Sequence, residues 1–158
     1  MKKIAFVPAR CGSKSIPFKN IKMFCGKPLI YWTLNELKDS KTIDEIIVAT
    51  DCKEIATIVE SFKFKKVSIY WRNPENAQDI STTESVMLEY IQQSNLKKSD
   101  YFILTQATSP FTQSEDFNVA FQKLIQEKAD SLLSCARVKR FFWNEDGTPI
   151  NYDFKKRP

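Results

Sequence analysis

Five short runs of strand-like apolar character punctuate the chain: KIAFVPA (3–9), EIIVAT (45–50), KVSIYW (66–71), YFILTQ (101–106) and SLLSCA (131–136). Their apolar character is nearly continuous rather than alternating, as expected of strands covered on both faces. The intervening segments carry helical spacing instead. Residues 28–38 open with Pro28 and repeat Leu29, Trp32/Thr33 and Leu37. Residues 53–64 place Ile55, Ile58/Val59 and Phe62 on one face, residues 83–93 place Val86, Met87, Tyr90 and Ile91, and residues 117–126 place Phe117, Phe121, Leu124 and Ile125. Strand and helix alternate, which predicts an α/β fold with a mainly parallel sheet. Beyond Ala136 the pattern changes to aromatic, charged and turn residues, with Asp146-Gly147 predicting a hairpin turn. A fifth strand leading into a hairpin reads as a sheet incomplete at its C-terminus. The expected organisation is one α/β domain over 1–138 and the start of a hairpin or dimerisation element over 139–158.

At 158 residues the chain is one domain by size, long enough to bury roughly 68–70% of its unfolded surface. No run approaches the roughly 18 apolar residues of a membrane span, and the apolar run near the start is too short for a signal peptide. Four cysteines, Cys11, Cys25, Cys52 and Cys135, form no Cys-x-x-Cys pair. A disulfide frame or zinc site is not expected; the thiols read as small hydrophobes in a reducing cytoplasm.

The chain has no histidine. That removes Ser-His-Asp and Cys-His catalysis and the commonest general base. Chemistry here runs on carboxylates, cations, hydroxyls, amides or a bound metal, the means of phosphoryl and nucleotidyl transfer. The net charge is +5, of which the last twenty residues supply +2. This is too small for a nucleic-acid footprint and suits an anionic small molecule.

In open α/β sheets ligands gather at the carboxyl ends of strands, so the loops there carry the search. The first, ARCGSKSIPFKN, matches neither the dinucleotide nor the P-loop fingerprint. It offers a turn at Gly12, hydroxyls at Ser13 and Ser15, and cations at Arg10, Lys14 and Lys19. Donors of these kinds converging on one loop are what an oligophosphate requires; a solvated basic loop is the alternative. In the second loop Asp51 reads as the cap of the helix from Lys53, ahead of a metal ligand. The third carries Arg72 and then Ser81, Thr82 and Thr83, either a helix cap or contacts to a base or ribose. The fourth leaves Gln106, Thr108 and Ser109 at a strand end, suited to a sugar or base, or to a solvated turn. In the fifth, Arg137, Lys139 and Arg140 could grip a carboxylate, form an interface or lie on a solvated hairpin.

Taken in order, VPARCGSKSIPFKNI with CGKPLIYW, then IIVATD, QDISTTES, LTQATSP, RVKRFFW and KKRP resemble the CMP-sialic acid synthetases, or N-acylneuraminate cytidylyltransferases. The resemblance runs the length of the chain. It implies a Rossmann-like three-layer nucleotidyltransferase that joins CTP to the anomeric hydroxyl of N-acetylneuraminate or a related nonulosonic acid and releases pyrophosphate, with Mg²⁺. By position, it implies that Arg10, Ser13, Lys14 and Lys19 hold the triphosphate, with Arg10 and Lys19 as the catalytic cations. Asn20, Arg72, Ser81, Thr82 and Thr83 would read cytosine and ribose. Gln106, Thr108 and Ser109 would meet the sugar acid. Acceptors such as 3-deoxy-octulosonate, legionaminate or pseudaminate, and a non-catalytic CTP-binding fragment, are the rival readings. Two departures stand out: Cys11 and Ser15 occupy positions where the family prefers glycine. Members of the family also carry an arginine-rich motif, the rest of a dimerising element and paired Mg²⁺-binding aspartates. These segments are absent from the 158 residues, so no metal ligand is expected within the chain. It reads as the amino-terminal part of a cytoplasmic homodimeric enzyme, with little activity by itself.

Overall fold

The computed structural model describes residues 1–12, 16–77, 82–137, 140–151 and 153, without the side chains of Pro74 and Ala77. The chain forms two compact units, Met1–Lys128 and Ala129–Pro158; the sequence placed that division at 138. In the first unit the strands are β1 (Lys3–Pro8), β2 (Met23–Phe24), β3 (Lys27–Pro28), β4 (Glu45–Thr50), β5 (Val67–Trp71) and β6 (Tyr101–Leu104). The helices are α1 (Leu29–Asp39), α2 (Lys53–Ser61), α3 (Thr83–Gln93) and α4 (Ser114–Gln126).

The main sheet has the order β5-β4-β1-β6 and every pairing is parallel. Phe6 on β1 stands opposite Ile47 on β4 and Leu104 on β6, which fixes the register on both sides. The continuous apolar runs of β1 and β4 have the cause inferred from sequence, since these central strands are covered on both faces; the edge strands β5 and β6 are only partly covered and leave Trp71 and Leu104 exposed. Ala5 and Val7 pack with Ile30, Leu34 and Leu37 of α1 and Ile55 and Val59 of α2. Ile4 and Phe6 point the other way and pack with Val86 of α3. The Phe6 ring lies 5.3 Å from those of both Tyr90 and Phe102. Truncating Phe6 to alanine would cost about 3–5 kcal/mol, because the close-packed neighbours cannot collapse into the space.

The chain moves outward from β1 through β4 to β5, then returns across the sheet through α3 to β6. The winding direction therefore reverses beside β1, and the loops after β1 and β6 diverge there. Such a switch point creates a crevice at the carboxyl edge.

Two features escaped the sequence pattern. Met23–Phe24 and Lys27–Pro28 form a two-residue hairpin, with Cys25 and Gly26 at φ 48° and 80°. Positive φ at both central positions is the type I′ geometry that matches strand twist. Its strands are too short to show periodicity. Helix α4 starts three residues before the expected Phe117 because its first turn is polar; the Gln113 N–H donates to Asp116 Oδ2 at 2.8 Å, closing that turn.

One expected strand is absent. Residues 131–136 adopt neither strand nor helix, and Leu133 is 83% exposed. A strand exists only through its ladder, and no described residue pairs with this segment. An apolar run alone could not settle that. In the second unit the predicted hairpin is present: Trp143 bridges Pro149, the Gly147 N–H donates to Asn144 O at 3.0 Å, and Gly147 takes φ 80°.

Candidate functional site

A cleft of about 260 Å³ lies at the carboxyl edge of the sheet, on the crevice that the topology creates. It is lined by Arg10, Lys19 and Asn20 from the first loop, and by Arg72, Thr82, Thr83 and Val86 from the segment after β5 and the start of α3. Gln106, Ala107 and Thr108, after β6, complete it. Ser13, Lys14 and Ser81 lie outside the described residues. Ser109 does not line the cleft: its N–H donates to Gln106 O at 3.1 Å, within the turn that presents Gln106 and Thr108. Of the basic residues noted after Ala136, Arg137 and Arg140 belong to the second unit, and Lys139 lies outside the described residues.

The loop after β1 is tied down from behind. The Ala9 N–H donates to Ala49 O at 2.9 Å, continuing the β1–β4 ladder past Pro8. Asn20 is 7% exposed, and its Nδ2 donates to Arg10 O at 3.3 Å, joining the two ends of the loop. Asp51 does not cap α2, contrary to expectation. The residue before that helix is Cys52, which makes no side-chain cap, and Asp51 Oδ1 accepts the Cys11 N–H at 3.0 Å instead. One residue too early to cap, the carboxylate satisfies a backbone donor of the basic loop and stands near Arg72.

Arg72 is 9% exposed. Its N–H continues the ladder to Thr50 O at 3.0 Å, and its guanidinium donates to Asn76 O. Its Nε has no partner among the described residues. Burial pushes the guanidinium below its usual range; Asp51 and Glu89 oppose that shift and Arg10 adds to it. A buried cation beside a second cation, with a donor unspent, is a group arranged for an anion.

The group that positions Arg72 is Glu89, which the sequence analysis missed. Its Oε1 accepts the Tyr70 hydroxyl at 2.7 Å and the Asn73 N–H at 3.0 Å, and its Oε2 accepts Asn76 Nδ2. Burial alone would raise the Glu89 carboxyl. The hydrogen bonds from Asn76, Tyr70 and Asn73, with the charge of Arg72, hold it below the usual carboxylate range. The signal was present in the helix: Glu89 falls three residues after Val86, on the inward face, where a carboxylate requires partners. Burial and the same Glu89 charge push the Tyr70 hydroxyl upward, so it stays protonated and donating.

Thr82 takes one of its two expected roles: it caps α3, its Oγ1 accepting the Ser85 N–H at 3.1 Å. On the opposite side Thr105 is buried with its hydroxyl unpartnered among the described residues, while Gln106 and Thr108 are exposed. The described lining thus carries three cations, two amides and three hydroxyls, and no carboxylate. It can hold an anion. The one close group of metal-ligating atoms among the described residues lies outside that lining: Cys11, Cys52 and Glu54. Burial, aided by the neighbouring Cys11 and Glu54, pushes the Cys52 thiol up to about 12.

The family model described as Cytidylyltransferase matches residues 4–146. N-acylneuraminate cytidylyltransferase A of Danio rerio is 35% identical over 141 residues, covering 89% of this chain and 32% of that protein. Pseudaminic acid cytidylyltransferase of Campylobacter jejuni is 28% identical over 98% of this chain and 69% of that protein. Among solved structures, a CMP:2-keto-3-deoxy-manno-octonic acid synthetase complexed with CTP superposes with a TM-score of 0.68 at 22% identity, over 82% of this chain and 49% of that one. That likeness is one of fold. The chain spans about a third of the length of the Danio rerio relatives.

Proposed function

The chain belongs to the cytidylyltransferase family, and from that premise we propose that it forms the CTP-binding part of an enzyme that transfers CMP to the anomeric hydroxyl of N-acetylneuraminate or a related nonulosonic acid, releasing pyrophosphate. The observation that carries the reading is the convergence of Arg10, Lys19 and the buried Arg72, whose Nε has no partner among the described residues, on one cleft without a carboxylate in its described lining.

In this reading the triphosphate lies across the first loop. The sugar hydroxyl attacks the α-phosphorus and gives up its proton to solvent, the bond from that phosphorus to the bridging oxygen breaks, and the electron pair leaves with pyrophosphate. Arg10 and Lys19 neutralise the charge that grows on the leaving group. Preorganised donors aimed at developing charge are worth on the order of 10²–10³ in rate each. Asn20, Thr82 and Thr83 face the nucleoside, Arg72 meets the nucleotide where the ribose joins the charged α-phosphate, and Ser13, Lys14 and Ser81 keep the phosphate and ribose roles implied by resemblance. Gln106 and Thr108 meet the acceptor, and Ser109 shapes the turn that presents them.

The Mg²⁺ implied by the resemblance needs hard oxygen ligands. No carboxylate is in the described lining, and Cys11, Cys52 and Glu54 offer two soft sulfurs. The described residues do not fit that ion, and no step is routed through it. For the same reason we expect this chain to bind CTP with little turnover by itself. A homodimer and a cytoplasmic location belong to the same proposal, the latter in keeping with four free cysteines.

Pyrophosphate release from CTP and N-acetylneuraminate, with and without Mg²⁺, tests the activity, and calorimetric titration with CTP tests the binding. Binding with little release is the expected result. Absence of CTP binding would overturn the reading.

A further inference from the structure

Cys11 lies in the loop after β1, whereas Cys52 and Glu54 stand at the start of α2, after β4. Because β1 and β4 are adjacent parallel strands, both carboxyl ends arrive at the same place. The two Sγ atoms and a Glu54 carboxylate oxygen all lie within 4.8 Å of one another, the one such group among the described residues. Cys52 Sγ and Glu54 Oε2 are 3.1 Å apart.

Those separations suit a particular ion. About a tetrahedral Zn²⁺, with Zn–S of about 2.3 Å and Zn–O of about 2.1 Å, two sulfurs stand about 3.8 Å apart and a sulfur and an oxygen about 3.6 Å. Adjustment within the side chains suffices, and the backbones are already fixed. The Cys11 N–H is held by Asp51 Oδ1 at 3.0 Å and the Cys52 N–H by Thr50 Oγ1 at 3.1 Å. Cys52 is buried, Cys11 half-buried and Glu54 exposed, so an ion has a solvent approach on the carboxylate side and two soft ligands beneath.

We propose that Cys11, Cys52 and Glu54 form a binding site for one thiophilic d¹⁰ cation of the Zn²⁺ class, held by two sulfurs and one carboxylate oxygen, with water as the fourth ligand. Both thiols lose their protons to solvent as the ion binds, and no electron is transferred. The site is independent of the nucleotide reading. It bears on the cleft through the chain, because Cys11 directly follows Arg10 and the ion would pin that loop to α2.

The probe is Co²⁺ added to the reduced full chain, followed by absorption spectroscopy. The expected result is one Co²⁺ per chain, with a thiolate-to-cobalt charge-transfer band and the intense visible bands of tetrahedral coordination, all abolished by Zn²⁺. Cys11→Ser and Glu54→Gln, each checked for an unchanged circular dichroism spectrum, should weaken binding at least about tenfold. Cys52 is in the core and is left intact. A Cys25→Ser/Cys135→Ser double variant should bind as the parent does. Absence of the charge-transfer band would overturn the proposal, as would its loss in the double variant or an unchanged affinity in Cys11→Ser and Glu54→Gln.

Discussion

The two walls of the cleft are built on different principles. On one, Arg72 is buried, its neighbours Tyr70, Asn73 and Asn76 are all gathered by Glu89, and Thr82 caps the helix that carries Glu89. On the other, Gln106 and Thr108 stand exposed on a turn closed by the Ser109 N–H. The first wall bears the cost of burying a cation before any ligand arrives, so its geometry is preorganised for charge. Under the proposed function, the second leaves acceptor selection to side chains that a sequence change can alter without disturbing the fold.

The division is open to a direct break. Arg72→Ala should weaken CTP binding by on the order of 10²-fold, since it removes charge-assisted hydrogen bonds and leaves Glu89 without its cation. Arg72→Lys should recover little of this, because an ammonium cannot reproduce the planar fork. Calorimetry of the two variants decides, and CTP binding as tight as the parent's in either would deny the buried guanidinium its role.

Glu89→Gln comes next in size. It keeps the shape but loses the charge that three donors and Arg72 address, so stability should fall by about 1–3 kcal/mol and CTP affinity by about tenfold. The pH dependence has a definite sign. The folded carboxyl sits below its unfolded value, so its contribution is fully present above the unfolded value and is lost as pH falls through the folded one. Urea unfolding of the parent at pH values descending through the carboxylate range should show this loss, and the Gln variant should show a flatter acid limb.

The elements that carried these inferences were legible to unequal degrees. The α/β alternation was plain because β1 and β4 are covered on both faces, which forces near-continuous apolar runs. Residues 131–136 share the apolar character but hold no β-branched or aromatic residue, and a strand also depends on neighbours that composition does not encode. The cleft is locatable because ligands gather at strand ends, and eight of its lining residues are polar groups that the sequence places in those loops. Glu89 was hidden inside an amphipathic pattern read only for its apolar members. Asp51 was assigned to the nearer helix, although its carboxylate reaches across to Cys11. Cys11, Cys52 and Glu54 have no motif spacing; only the pairing of β1 with β4 brings them together.

Smaller effects sharpen the contrast. Thr82→Ala should cost about 1 kcal/mol of stability through the lost cap, measured by thermal unfolding. Gln106→Ala should leave CTP affinity within about twofold, as befits an exposed residue outside the buried network, while raising the acceptor KM of the active enzyme. A loss of CTP binding in Gln106→Ala equal to that in Arg72→Ala would erase the distinction between the walls.

The central claim is that the cleft recognises the charge of a nucleoside triphosphate. Titrating the chain with CTP and, separately, with cytidine at low and high salt tests it most directly. The account predicts one CTP bound per chain with an affinity that falls as salt rises, and no measurable heat from cytidine. Cytidine binding as tightly as CTP, or CTP binding indifferent to salt, would contradict it.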